Sequence, residues 1–184
     1  MPDSLIISNF PYIIIRSDRL KKGGGVCLLI SHNIAYSEVS TKKIPNSNIL
    51  AIDIIDSISL KKYRIVSIYR PTTNKPNKDF EFFIESLVEL CQIDFSIILL
   101  GDFNFPNLCW QINNHIHHNS LSIKETMFLN FICSFDLQQL VFFPTRKEAT
   151  LDLLFTNKPE LVPFVICSTF QWCLVKFPKS GKNQ

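Results

Sequence analysis

The chain has 184 residues, 46% of them hydrophobic and 12% aromatic, with 16 phenylalanines, so it is long enough and apolar enough to bury the core of one domain and is not a disordered chain. Its formal net charge of +3 permits a polyanionic partner without demanding one. The pairs Lys21-Lys22, Lys42-Lys43 and Lys61-Lys62 are dispersed and read as solvated strand edges and loop ends rather than one basic track.

Met1 is followed by Pro2-Asp3-Ser4, without the basic start and apolar stretch of a secretory leader, and no apolar run reaches membrane-spanning length. None of the cysteines forms a Cys-x-x-Cys pair, and Cys27 and Cys91 fall inside apolar patterns where a reduced thiol packs as a small hydrophobe. The expectation is a cytoplasmic or nuclear protein, neither secreted nor membrane-bound. Gly23-Gly24-Gly25 has no Lys-Ser/Thr after it and leads into a strand, so it reads as a tight turn rather than a phosphate loop. The segments Val26 to Ile30, Ile49 to Ile55 and Tyr63 to Tyr69 read as three strands of an antiparallel meander.

Past Pro71 the period changes. Phe80, Phe83, Ile84, Leu87, Val88 and Cys91 recur at three and four residues, the mark of one helix face, with Asn77 or Asp79 as N-cap. A strand from Phe95 to Leu100 follows, then a polar loop from Cys109 to Ser120. His115, His117 and His118 in that loop match no zinc spacing and read as solvated. Ser122 and Glu125 have capping-box spacing and open a second helix through Phe128, Phe131, Ile132 and Phe135. Strands are expected from Leu151 to Phe155 and from Phe164 to Ser168, and Phe170 to Val175 can add another, with poor order past Phe177. Together these elements predict an α/β (α+β) sandwich of two sheets with helices on the outer faces.

Chemistry concentrates at Gly101-Asp102-Phe103-Asn104, after the buried run Ile97 to Leu100. In an extended segment Asp102 and Asn104 point the same way, and a carboxylate beside a carboxamide can orient a water and a phosphate oxygen. The same tetrapeptide is equally a strand ending in an Asx turn. Asp152 is a costly carboxylate in an apolar strand unless it is paired or at a solvated edge. Tyr69 by itself reads as a strand-end aromatic, and Arg146 can contact a phosphate or pair with Glu148 or Asp152.

Four segments taken in order carry a resemblance: Asp18-Arg19 before Gly23-Gly24-Gly25-Val26, then Tyr69-Arg70-Pro71, then Gly101-Asp102-Phe103-Asn104-Phe105-Pro106, then Pro144-Thr145-Arg146 before Thr150-Leu151-Asp152-Leu153. The chain resembles the endonuclease/exonuclease/phosphatase family with its DNase I-like fold, in particular the apurinic-like endonuclease domain of non-LTR retrotransposons. The resemblance implies magnesium- or manganese-dependent cleavage of a DNA phosphodiester. It implies that Asp102 orients or deprotonates the attacking water and ligates the metal, and that Asn104 and Tyr69 contact the phosphate. Asp152 is then the aspartate that holds a catalytic histidine, and Arg70 and Arg146 contact DNA.

Two features of the family pattern have no counterpart here: a metal-ligating glutamate ahead of the Asp18-Arg19 segment and a Ser-Asp-His motif beyond the Asp152 strand. The expectation is therefore a partial domain, with an incomplete first half, over residues 1–169 and a divergent tail over 170–184. Such a chain should have negligible nuclease activity and open apolar surface along Val26 to Ile30 or Ile49 to Ile55. The alternatives are an inactive remnant and a module that binds nucleic acid or protein without cleaving.

Overall fold

The computed structural model describes residues 12–18, 25–44, 47–56, 59–72, 77–110, 116–117, 120–162, 165–167 and 173–175. Strand β1 (Tyr12–Asp18) pairs antiparallel with β2 (Gly25–Ser31) in a small sheet. Strands β3 (Tyr36–Val39), β4 (Asn48–Ile55) and β5 (Lys62–Tyr69) run antiparallel to one another in a second sheet. Helix α1 (Asn77–Cys91) then carries the chain over to β6 (Ser96–Asp102), which lies parallel to β5, as a parallel pairing requires a crossover. A hairpin of β7 (Cys109–Trp110) and β8 (Ile116–His117) precedes helix α2 (Ile123–Ser134) and the short β9 (Gln138–Gln139). Strand β10 (Asp152–Thr156) completes a six-stranded sheet of order β3-β4-β5-β6-β10-β9. A hairpin of β11 (Val165–Cys167) and β12 (Cys173–Val175) follows.

Strand alternation sorts the aliphatic residues onto the two faces of the large sheet. On β4, Ile49 and Ala51 join the cluster covered by both helices, while Leu50, Ile52 and Ile54 join Ile15, Val26 and Ile30 of the small sheet. The layers are therefore small sheet, large sheet and helices, a two-sheet α/β sandwich. Beyond the reach of β1 and β2, the small-sheet face is covered by Val141 and Val162 packed on Ile98 and Leu154. The helix side is a phenylalanine core in which Phe103, Phe128 and Phe155 are fully buried, with Phe103 and Phe155 edge-to-face at 5.5 Å. No described helix is long and apolar enough to cross a membrane.

Several expectations need correction. Val26 to Ile30 is not the first strand of a meander: it pairs with Tyr12–Asp18, and β4 takes β3 as its other neighbour. The helices lie on an outer face as expected, both of them on that of the large sheet. Asn77 and Asp79 lie inside the first turn of α1, so neither is its cap. Ser122, by contrast, caps α2 with the reciprocal Glu125 box that its spacing predicts. The loop from Cys109 to Ser120 contains the β7-β8 hairpin, and β10 begins at Asp152, one residue later than expected. Ile49 to Ile54 is not open surface, because both faces of β4 are covered there, and only Ile55 at its end is exposed. On β2 only Leu29, 47% exposed, stands out to solvent. The boundary at 169–170 falls between the strands of the β11-β12 hairpin. Gly23, Gly24 and the tail past Phe177 lie outside the described residues.

Gly101 is required by the close approach of β6 to β5. Its φ is +138°, and a Cβ added there would sit 1.9 Å from the carbonyl oxygen of Ile68. Gly101→Ala is therefore expected to lower stability by more than about 2 kcal/mol. A denaturant or thermal midpoint equal to wild type would show that the two backbones do not approach this closely.

Candidate active site at one end of the large sheet

Strand pairing brings the sequence candidates together. Tyr69 is the partner of Asp102 in the parallel β5-β6 ladder, and Asp152 is its partner in the antiparallel β6-β10 ladder. Paired residues project to the same face, so Tyr69, Asp102 and Asp152 form a row across three strands on the face away from the helices. Asn48, the first residue of β4, pairs with Tyr69 and extends the row. Its amide donates to the backbone carbonyl and hydroxyl of Ser17 at 3.3 and 3.2 Å, tying the end of β1 to the site.

After Asp102 the chain turns sharply. Phe103 donates its N–H to Leu151 O at 2.9 Å and buries its ring under the sheet, and Asn104 adopts a left-handed conformation with φ of 55°. Asp102 and Asn104 are thus not the extended pair expected from their spacing. The backbone N–H of Asn104 instead hydrogen-bonds the Asp102 carboxylate, the Asx geometry held open as the alternative. Turn and site coexist, because the buried Oδ1 of Asp102 has no hydrogen-bond partner.

Burial pushes the Asp102 carboxyl up to about 6, and the neighbouring Asp152 adds to the shift; Arg70, Arg146 and the Asn104 N–H oppose it. The Asp152 carboxyl is also raised by burial, against a hydrogen bond from Thr145 and the charge of Arg146. The Thr145 hydroxyl oxygen accepts the N–H groups of Leu151 and Asp152 at 3.0 Å each, so one side chain fixes both the start of β10 and its carboxylate. Arg146 is exposed in a turn closed by reciprocal bonds with Ala149, and its charge reaches both aspartates.

Arg70 is the exception among the candidates. Expected at a DNA phosphate, it is only 8% exposed and donates to the carbonyls of Phe103 and Asn104 at 2.7 and 2.8 Å on the helix side of the sheet. Residue spacing did not single out Thr145 or Asn48. The available signals were the Thr145 hydroxyl beside Pro144 and a lone amide opening an apolar strand. Of the histidine segment, residues 115 and 118 lie outside the described residues.

Two carboxylates with an orphaned oxygen fit a divalent cation such as magnesium, which binds through one or two carboxylates and keeps several waters. Among the described residues no group of three or more metal-ligating side chains forms.

The profile of the family described as endonuclease-reverse transcriptase matches residues 63–175, a span that holds Tyr69, Arg70, Asp102, Asn104, Arg146 and Asp152. No curated protein sequence matches the chain significantly. Among solved structures, the chain is similar to the endonuclease domain of TRAS1, a telomere-specific non-LTR retrotransposon (TM-score 0.57, 12% identity, 88% of this chain and 73% of that one). It is also similar to the human Nocturnin catalytic domain with bound sulfate (TM-score 0.57, 14% identity, 84% and 64%). A third is an endonuclease/exonuclease/phosphatase family protein from Leptotrichia buccalis (TM-score 0.53, 20% identity, 86% and 63%). The chain spans less than two thirds of the last two, and at these identities the likeness shows the fold.

Because Asp102 binds its proton more tightly folded than unfolded, its stabilising contribution is full below pH 3.8 and is lost as pH rises through about 6. Asp102→Asn removes the charge that is costly to bury. It is expected to stabilise the protein at pH 7 by on the order of 1 kcal/mol after solvent screening, with the gain vanishing at pH 3.5. Paired denaturation curves at the two pH values check this, and equal differences at both would contradict it.

Proposed function

Because the chain belongs to the endonuclease-reverse transcriptase family, whose profile it matches over residues 63–175, we propose that it is a metal-dependent phosphodiester hydrolase, a DNA endonuclease domain of retrotransposon origin whose activity is impaired. The observation that carries this reading is the row of Tyr69, Asp102 and Asp152, with its buried, unpartnered carboxylate oxygen.

Each residue has a task in an in-line displacement at phosphorus. Asp102, with a carboxyl at about 6, is ionised at neutral pH yet basic enough to accept a proton from an attacking water. The Asn104 amide and the Tyr69 hydroxyl are neutral donors suited to phosphate oxygens, where charge grows in the transition state. Asp152, oriented by Thr145, stands beside Asp102 to hold a cation or a proton-transfer partner. A magnesium or manganese ion held by Asp102 and Asp152 would supply charge neutralisation for the developing anion. Arg146 offers its cation to the DNA backbone at the rim of the row, where a phosphate contact gives salt-dependent affinity. What supports impairment is that, among the described residues, the site offers a cation two carboxylates without a third metal-ligating side chain. Loss of a ligand or of one oriented charge costs several kcal/mol of barrier, or orders of magnitude in rate.

A second reading, a module that binds nucleic acid without cleaving it, is favoured by the same small ligand set together with the exposed Arg146. Relaxation of supercoiled plasmid in magnesium or manganese separates the two. The endonuclease reading expects slow nicking that chelator and Asp102→Ala each abolish. Salt-dependent binding with no nicking would leave the second reading, and neither binding nor nicking at low salt would sink both. Arg146→Ala is expected to weaken DNA binding across all sequences and to reduce the salt slope by about one charge, as fluorescence anisotropy over a salt series would report.

A further inference from the structure

Arg70 follows the last residue of β5 and makes three bonds to three consecutive carbonyls. Its backbone N–H donates to Asp102 O at 2.8 Å, its Nε to Phe103 O at 2.7 Å and its terminal amine to Asn104 O at 2.8 Å. The guanidinium lies 4.1 Å from the centroid of the Phe105 ring and 5.4 Å from that of Phe80. A flat fork of donors can meet two carbonyls and a ring face at once, and the point charge of lysine cannot. The segment it grips contains Asn104 at φ 55°, a backbone state that costs a non-glycine residue about 1 kcal/mol or more. Two charge-assisted hydrogen bonds outweigh that cost.

We propose that Arg70 is a positioning residue: by clamping the carbonyls of Phe103 and Asn104 it holds the left-handed turn that sets Asn104 beside Asp102, and it never touches the nucleic acid. The proposal rests on the endonuclease reading of Tyr69, Asp102, Asn104 and Asp152. The guanidinium lies on the helix side of the sheet, packed against Phe80 of α1 and Phe105, whereas the row of site residues faces the other way. Burial lowers the Arg70 pKa to about 10, which leaves it cationic at neutral pH, and two carboxylates offset that burial, Asp102 and Glu125. Glu125 is 4% exposed and accepts the N–H of Ser122 at 2.7 Å, so the capping box of α2 also supplies the counter-charge to this arginine. In return the arginine's charge favours the ionised form of Asp102.

The test uses Arg70→Met, Asn104→Gly and the double variant of the full chain, with two readouts that need no nuclease activity. In amide hydrogen exchange, Arg70→Met is expected to speed exchange of the Asn104 N–H, relative to the amides of α1, by about tenfold. In a denaturation double-mutant cycle, glycine needs no help in the left-handed region. The combined loss in the folding constant is therefore expected to be smaller than the product of the single losses by about fivefold. If Arg70→Met does not fold, Arg70→Lys takes its place, keeping the cation but serving one carbonyl only. Unchanged Asn104 exchange with an additive cycle would overturn the proposal. So would weaker DNA binding with a shallower salt slope in Arg70→Met, which would make Arg70 a phosphate contact. Should the wild-type chain neither bind nor nick DNA, the endonuclease reading fails, while the exchange and the cycle still decide whether Arg70 sets the turn.

Discussion

Lateral registration of β5, β6 and β10 is the constraint on which the site depends. Tyr69, Asp102 and Asp152 are separated by dozens of residues, yet each is the ladder partner of the next. A slip of one residue in either ladder would send a partner to the opposite face, among the phenylalanines beneath the helices. Gly101 permits the β6 backbone to lie against Ile68, and the N–H groups of Arg70 and Phe103 continue the pairing past the end of the strand by bonding Asp102 and Leu151. The row is therefore set by main-chain hydrogen bonds, which are stiffer than any side-chain arrangement.

That rigidity holds a charge arrangement that folding alone would not select. Two aspartates on adjacent strands are both pushed toward the neutral form, chiefly by burial, and one buried oxygen of Asp102 is left without a donor. An apolar pair at these positions would be the more stable choice. The cost is of the kind expected where a protein keeps acceptors ready for a cation, a proton or a water, and it is contained by Thr145, Arg146 and the Asn104 N–H.

The layers of the fold are coupled through this end of the sheet. Asn48 joins it to the small sheet through Ser17, and Arg70 joins it to α1 through Phe80 and to α2 through the charge of Glu125. The turn after β6 is thus braced from both faces. Phe103, Phe105 and Phe128 pack into the same bracing, so the aromatic richness of the chain serves the site as well as the core.

Local pattern by itself determined much of this protein. The 3.6-residue period placed α1, the Ser122–Glu125 box placed the start of α2, and β-branched runs located β4, β5 and β6, because each signal is written within one turn or one pleat of the chain. Tyr69, Asp102, Asn104, Arg146 and Asp152 were likewise legible as motif residues. Tertiary structure alone decided which strands are neighbours: β2 reads like a member of a meander but pairs with β1, and β9 is too short to carry a period. It also decided the character of Arg70. A basic residue before proline looks like a surface cation, and only the meeting of β5, the turn after β6 and the first turn of α2 surrounds it with carbonyls, rings and a carboxylate. Contacts of that kind join residues distant along the chain, and no local period encodes the partner that long-range packing supplies.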